Sequence, residues 1–183
     1  MAIGMILKRS DGPLPPERSK CFGSPTMPLS WSDDFYDGTM FFCQINLSEL
    51  APFDTDGFFK RDGFLYVLFD TDGGEYDLLP IVRYSDSPDA VFTDFNESVP
   101  GFEQYTEEIE ISFCECDDYT DGMRLLGYPT AWHYGEDAPR LLMQIDHLDG
   151  ELRFLDHLDG YTLLTLGDDT EGFSDVSIIQ DFS

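Results

Sequence analysis

The stretch Asp62–Asp70 reads DGFLYVLFD. Its apolar run is nearly continuous and of strand length, which fits a strand buried on both faces rather than one with a wet side. TDGGEYD (Thr71–Asp77) follows as a turn. LLPIVRY (Leu78–Tyr84) is a second strand, in which Pro80 calls for a sheet edge or a strand start. Upstream, GTMFFCQINL (Gly38–Leu47) is a β-rich apolar run, and in NLSELAPF either Asn46 or Ser48 can cap one helical turn before Pro52 stops it.

Downstream the pattern changes from continuous to alternating. In IEISFCECD (Ile109–Asp117), Ile109, Ile111, Phe113 and Glu115 alternate with Glu110, Ser112, Cys114 and Cys116, a period-two strand with a mixed outer face. PRLLMQID (Pro139–Asp146), YTLLTLGD (Tyr161–Asp168) and VSIIQDF (Val176–Phe182) complete the strands, and Glu103–Glu108 reads as a short acidic helix or a loop. The expected fold is mainly β (α+β): one domain over residues 1–183, an antiparallel curled sheet or sandwich-like arrangement with a few short helices. Its expected core contains Phe42, Ile45, Leu47, Leu65, Val67, Ile111, Phe113, Leu142, Ile145, Leu163 and Ile178.

The pentapeptide DHLDG occurs twice, at Asp146–Gly150 and Asp156–Gly160, around ELRFL, which alternates like a short strand. Asp-Gly favours turns, so His147 and His157 are expected on solvated turns, with no tightly held metal. Asp54–Gly57 and Asp70–Gly73 both read DTDG, the opening of a calcium loop, but neither continues with the remaining ligands. His133, in AWHYGED, has no marked nucleophile beside it. GxSxG, GxGxxG, P-loop and HExxH motifs are absent. The residues mark no catalytic group, no metal site and no cofactor, and the chain is expected not to be an enzyme. Cys21, Cys43, Cys114 and Cys116 are expected as reduced thiols, with Cys114 and Cys116 as a buried pair. With no secretory signal and no membrane-length apolar run, a cytoplasmic location is expected.

Composition speaks most directly to partners. The formal net charge is −27, from 37 Asp and Glu against 10 Lys and Arg, while aromatics make up 15% of the chain. That is a core-forming composition under a strongly acidic surface. Such a surface repels nucleic-acid phosphates and anionic membranes and attracts basic proteins. Lys8, Arg9, Arg18, Lys20, Lys60 and Arg61 lie in the first third, leaving the remainder more negative. The densest carboxylate clusters near strand ends are Asp70, Asp72, Glu75 and Asp77, and Glu115, Asp117, Asp118 and Asp121, with Glu103, Glu107 and Glu108 as a further group. These are the expected contacts for a basic protein partner, with Gly23, Pro25, Gln44, Asn46, Gly127 and Pro129 shaping the backbone.

Motifs in order along nearly the whole chain resemble the YwqG-like family of bacterial domains. SKCFGSPTMP (Ser19–Pro28) is similar to that family's SKFGGxPxLP, FFCQINLSEL (Phe41–Leu50) to FLAQINLSEL, and LLGYPTAW (Leu125–Trp132) to LLGYPxxVQ. LLMQID is similar to LLLQLD, FLDHLDGYTLLTL to FGDGGxLYFFI, and FSDVSIIQDFS to FSxVxFYWDCS. The chain departs from the pattern at Ser24, at Thr130–Trp132 and at the second DHLDG. The resemblance implies a strand-rich fold and, since family members occur beside polymorphic toxins, an immunity-type role. Joined to the charge, it gives the expectation of an acidic inhibitor of a cationic, nuclease-type toxin. A phage-type nucleic-acid mimic and an enzyme with an unrecognised site are the alternatives.

Overall fold

The structure, a computed structural model, describes residues 1–72, 74, 76–129, 138–167 and 173–182. Twelve strands are present among the described residues: β1 (Ala2–Arg9), β2 (Lys20–Cys21), β3 (Thr26–Met27), β4 (Thr39–Asn46), β5 (Phe64–Asp70), β6 (Leu79–Ser85), β7 (Ala90–Val91), β8 (Ile109–Cys116), β9 (Arg124–Leu125), β10 (Leu141–Asp146), β11 (Gly160–Leu166) and β12 (Val176–Phe182). Ten form one antiparallel sheet in the order β12-β11-β10-β9-β1-β8-β2-β4-β5-β6, and β3 pairs with β7 outside it. The sheet curls until its terminal strands β6 and β12 approach each other, giving a nearly closed barrel rather than a sandwich. Among the described residues helix is confined to α1 (Leu47–Leu50) and a 3-10 turn at Leu29–Trp31. The α component is therefore smaller than expected, and Glu103–Glu108 is a series of turns.

β5 is buried on both faces, as its sequence requires. Leu65, Val67 and Phe69 enter the barrel interior, while Tyr66 and Leu68 pack outward with Met27 and Phe41 under Trp31, Phe35, Phe92 and Phe95. β6, with Pro80, is an edge strand of the sheet. β8 turns Ile109, Ile111 and Phe113 inward. Of the expected core, Ile178 alone is only partly buried, because it lies on terminal strand β12.

A duplication runs through this sheet. β1, β2, β4, β5 and β6 have the same topology as β8, β9, β10, β11 and β12. Lys20 faces Gln44 as Arg124 faces Gln144, and Cys21 faces Cys43 as Leu125 faces Met143. Phe22 and Gly23 take positive φ of 58° and 71°, and Leu126 and Gly127 take 60° and 79°. Phe22 N–H donates to the Phe42 carbonyl (2.9 Å) as Leu126 N–H donates to that of Leu142 (3.1 Å). Register irregularities recur at equivalent places, between Phe41 and Cys43 and between Leu141 and Met143. The halves exchange strands: β2 pairs with β8 and β9 with β1, so the central β1–β8 ladder joins the two copies.

The duplication also relates the two ends of the barrel. Residues 47–63 join β4 to β5 at the end where β1 starts (the Ala2 end), and residues 147–159 join β10 to β11 at the other (the Arg9 end). The second connection contains the sequence between the DHLDG copies, and it is not a strand. Arg153 and Leu155 have positive φ (48° and 52°), which breaks period-two alternation and lets Leu152, Phe154, Leu155 and Leu158 all point inward. Phe154 sits among Phe22, Phe42, Phe69 and Tyr105, and Leu155 N–H donates to the Tyr105 hydroxyl at 2.9 Å. His147 is fully buried, not solvated, because the hairpin base draws it inward: its N–H donates to the Gly160 carbonyl (3.1 Å), and its Nε2 meets Thr162 Oγ1 at 2.8 Å. His157 is exposed.

Candidate partner-binding site

The strand registers divide the expected carboxylates between the two ends. Asp70, Asp72 and Asp77 lie at the Arg9 end with Glu103, Glu107 and Glu108. Glu115, Asp117 and Asp118 lie at the Ala2 end, whereas Asp121, three residues before β9, lies toward the Arg9 side. Glu75 and His133 are outside the described residues.

At the Arg9 end most of the acids are engaged within the chain. Asp70 accepts from Asp72 N–H at 3.0 Å. The Tyr36 hydroxyl bonds to Asp70, and this bond, with burial and the charges of Asp70 and Asp72, pushes its pKa up to about 12. Glu103 accepts from Gly101 N–H at 3.0 Å, and Glu107 pairs with Arg9 at 3.1 Å. Glu108 is an internal counter-ion: it pairs with buried Lys20 and accepts from Leu14 N–H at 2.6 Å. It also explains Gly23, whose added Cβ would lie 2.3 Å from Glu108 Cγ. Asp77 is exposed.

The Ala2 end presents a different arrangement. Glu115, Asp117 and Asp118 line a depression of about 790 Å³ with Asp56, Cys116, Thr120 and Met1, whose ammonium lies 3.3 Å from Asp56 and 3.2 Å from Asp118. Beside these acids Tyr119 and Tyr128 stack on the surface, centroids 5.7 Å apart at 19°, and are 63% and 37% exposed. Away from this depression, the exposed Asp121 accepts from the Tyr161 hydroxyl at 3.4 Å.

Arg124 holds this surface in place from inside. It is fully buried and donates to the carbonyls of Asp118 (2.9 Å), Leu126 (3.0 Å) and Tyr128, and to Gln144 Oε1 (3.1 Å). Burial lowers its pKa, while the charges of Cys116, Asp118 and Asp121 act the other way. Gln144 completes the link by donating to the Gly122 carbonyl at 2.9 Å. Its counterpart Gln44 accepts from Thr26 N–H (2.8 Å) and donates to the carbonyls of Pro16 and Arg18 (2.8 and 2.9 Å). Both glutamines thus satisfy backbone groups inside the fold, as does partly exposed Asn46, which caps α1.

Among the described residues no group of three or more His, Cys, Asp or Glu is arranged to hold a metal ion. The first DTDG is a structural cap: buried Asp54 accepts from Phe58 N–H (3.0 Å) and Phe59 N–H (2.8 Å). Burial pushes the Cys21 thiol well up, holding it as the less reactive neutral form. Cys114 and Cys116 share a face, as alternation predicts, but are half-buried, because that face of β8 is the outer one. No protein-family model and no curated protein matches the chain.

Sequence reading missed Arg124, the Lys20–Glu108 pair and the Tyr119–Tyr128 stack. A signal for the first two was available: KCFGSP (Lys20–Pro25) and RLLGYP (Arg124–Pro129) align, as do CQIN (Cys43–Asn46) and MQID (Met143–Asp146). Each copy places a cation before an apolar-Gly-x-Pro turn and a glutamine on the strand that faces it.

Proposed function

We propose that the chain is an acidic binding protein that inhibits a cationic partner, as the immunity protein of a nuclease-type toxin in the cytoplasm. The observation that carries this reading is the exposed Tyr119–Tyr128 stack, flanked in the chain by Asp117, Asp118 and Asp121 and held from beneath by Arg124. Rigid aromatic anchors ringed by charge suit protein recognition: the rings supply desolvated contact area, and the carboxylates steer a basic partner. The net charge of −27 supports the same reading through long-range attraction. The resemblance to the YwqG-like family points to the toxin-immunity setting.

Co-expression with a basic nuclease-type toxin domain tests it. The chain restores growth and inhibits nucleic-acid cleavage in vitro. Asp117→Lys with Asp121→Lys weakens binding at least about tenfold, or about 1.4 kcal/mol. Affinity also falls as salt rises from about 50 to about 500 mM. Binding that ignores both charge reversal and salt sinks the proposal.

A further inference from the structure

The Ala2 end carries a second feature, on the other side of the turn at Asp54–Phe58. A cleft of about 870 Å³ opens where 47–63 meets terminal strand β6 and Phe173. Its apolar lining includes Phe58, Phe59, Val82 and Phe173, and this volume is within the usual range for small-molecule sites. The two carboxylate bonds from Asp54 fix the backbone at Phe58 and Phe59, so this wall is set before any ligand arrives.

The charge around the cleft runs against that of the molecule. The chain has 10 Lys and Arg against 37 acids, yet three of those cations lie over aromatic rings here. Lys60 Nζ is 3.6 Å from the Tyr84 ring centre, Arg83 is 5.2 Å from that of Trp31, and Arg140 is 4.9 Å from that of Phe58. Arg83 also pairs with Asp34. Lys60 and Arg140 have no carboxylate within 4.0 Å among the described residues. On so acidic a surface, an apolar cleft rimmed by cations that have no carboxylate partner among the described residues is complementary to an anion on an apolar body.

We propose that this cleft binds a small organic carboxylate, with an aryl or alkyl body against Phe59, Val82 and Phe173 and the carboxylate at Lys60. Asp34 is engaged by Arg83, and the Lys60 ammonium, held over the Tyr84 ring, is the rim cation placed to meet a ligand's charge.

Calorimetric titration of the full chain with 4-phenylbutanoate, 4-phenylbutan-1-ol and 4-phenylbutylamine tests the assignment. The three share an apolar body and differ in charge. The carboxylate binds at least about tenfold tighter than the alcohol and the amine, although the global charge favours the amine. Lys60→Gln removes that preference, while Val82→Trp, which fills the cleft, abolishes binding of all three with the far-ultraviolet circular dichroism unchanged. Equal affinity for the three compounds, tighter binding of the amine, no binding at millimolar concentration, or full binding by Val82→Trp each overturns the proposal. None of these outcomes involves the Tyr119–Tyr128 surface, so the toxin-binding reading stands or falls separately.

Discussion

Residues 147–159 and 47–63 join equivalent strands at opposite ends of the barrel, yet one fills its end and the other leaves a cleft beside it. In the first, positive φ at Arg153 and Leu155 drives Phe154 into the centre of an aromatic cluster. In the second, apolar residues are divided between α1, which buries Leu47 and Leu50, and the Phe58–Phe59 pair, which Asp54 ties to the wall. Both connections remove apolar surface from water at a barrel mouth. They differ in where backbone hydrogen bonding allows the aromatic rings to go. At the plugged end some acids are tied into the chain, as with Glu107 on Arg9 and Glu108 on Lys20. The end with the cleft carries exposed tyrosines and cations that have no carboxylate within 4.0 Å among the described residues.

Truncation is the strongest way to break this contrast. Phe154→Ala removes a fully buried ring and is expected to cost about 3–5 kcal/mol, measured by denaturant unfolding. Phe58→Ala, at the cleft wall, is expected to cost less than about half as much, since its ring is only partly buried. Similar losses would mean that the two ends are packed alike.

The next contrast lies in the first residue of each connection, Leu47 against His147. Burial, the largest influence, lowers the His147 pKa to about 4. The unfolded imidazole takes up a proton below about 6.5 and the folded one does so only near 4, so protons favour unfolding between those values. This stabilisation is complete above pH 6.5 and is lost as pH falls toward 4. His147→Leu makes the second connection like the first, and between pH 7 and pH 4 the wild type is expected to lose up to ~3 kcal/mol more than the variant. Parallel stability curves would show that His147 is hydrated.

The smallest contrast sharpens the duplication. Asn46 Oδ1 accepts from Ser48 N–H and Asp146 Oδ1 from Leu148 N–H, both at 2.9 Å. Asn46→Ala and Asp146→Ala are each expected to cost about 0.5–2 kcal/mol. The expected Asn46 loss is the greater, because its Nδ2 also donates to the Glu17 carbonyl at 2.9 Å.

Local sequence carried the longer strands β4, β5, β6, β8, β10, β11 and β12, but not β1 or the two-residue strands. Continuous apolarity fixed β5 as buried on both sides, alternation fixed the inward row of β8, and Pro80 marked an edge, because each of these is a local consequence of strand geometry. It also placed Gln44, Gly23 and Gly127 as backbone-shaping positions, since a buried amide needs partners and those turns need positive φ. Tertiary structure alone decided which carboxylates stay exposed. Glu107 and Glu108 are adjacent in sequence, but burying Lys20 turns the second inward, and that pairing spans 88 positions. It likewise decided that DHLDG would be read in two ways: its first histidine is drawn under a hairpin and its second stays exposed, although the local sequence is identical. Local propensity is the same for both copies, and only the barrel's demand to fill its open end distinguishes them.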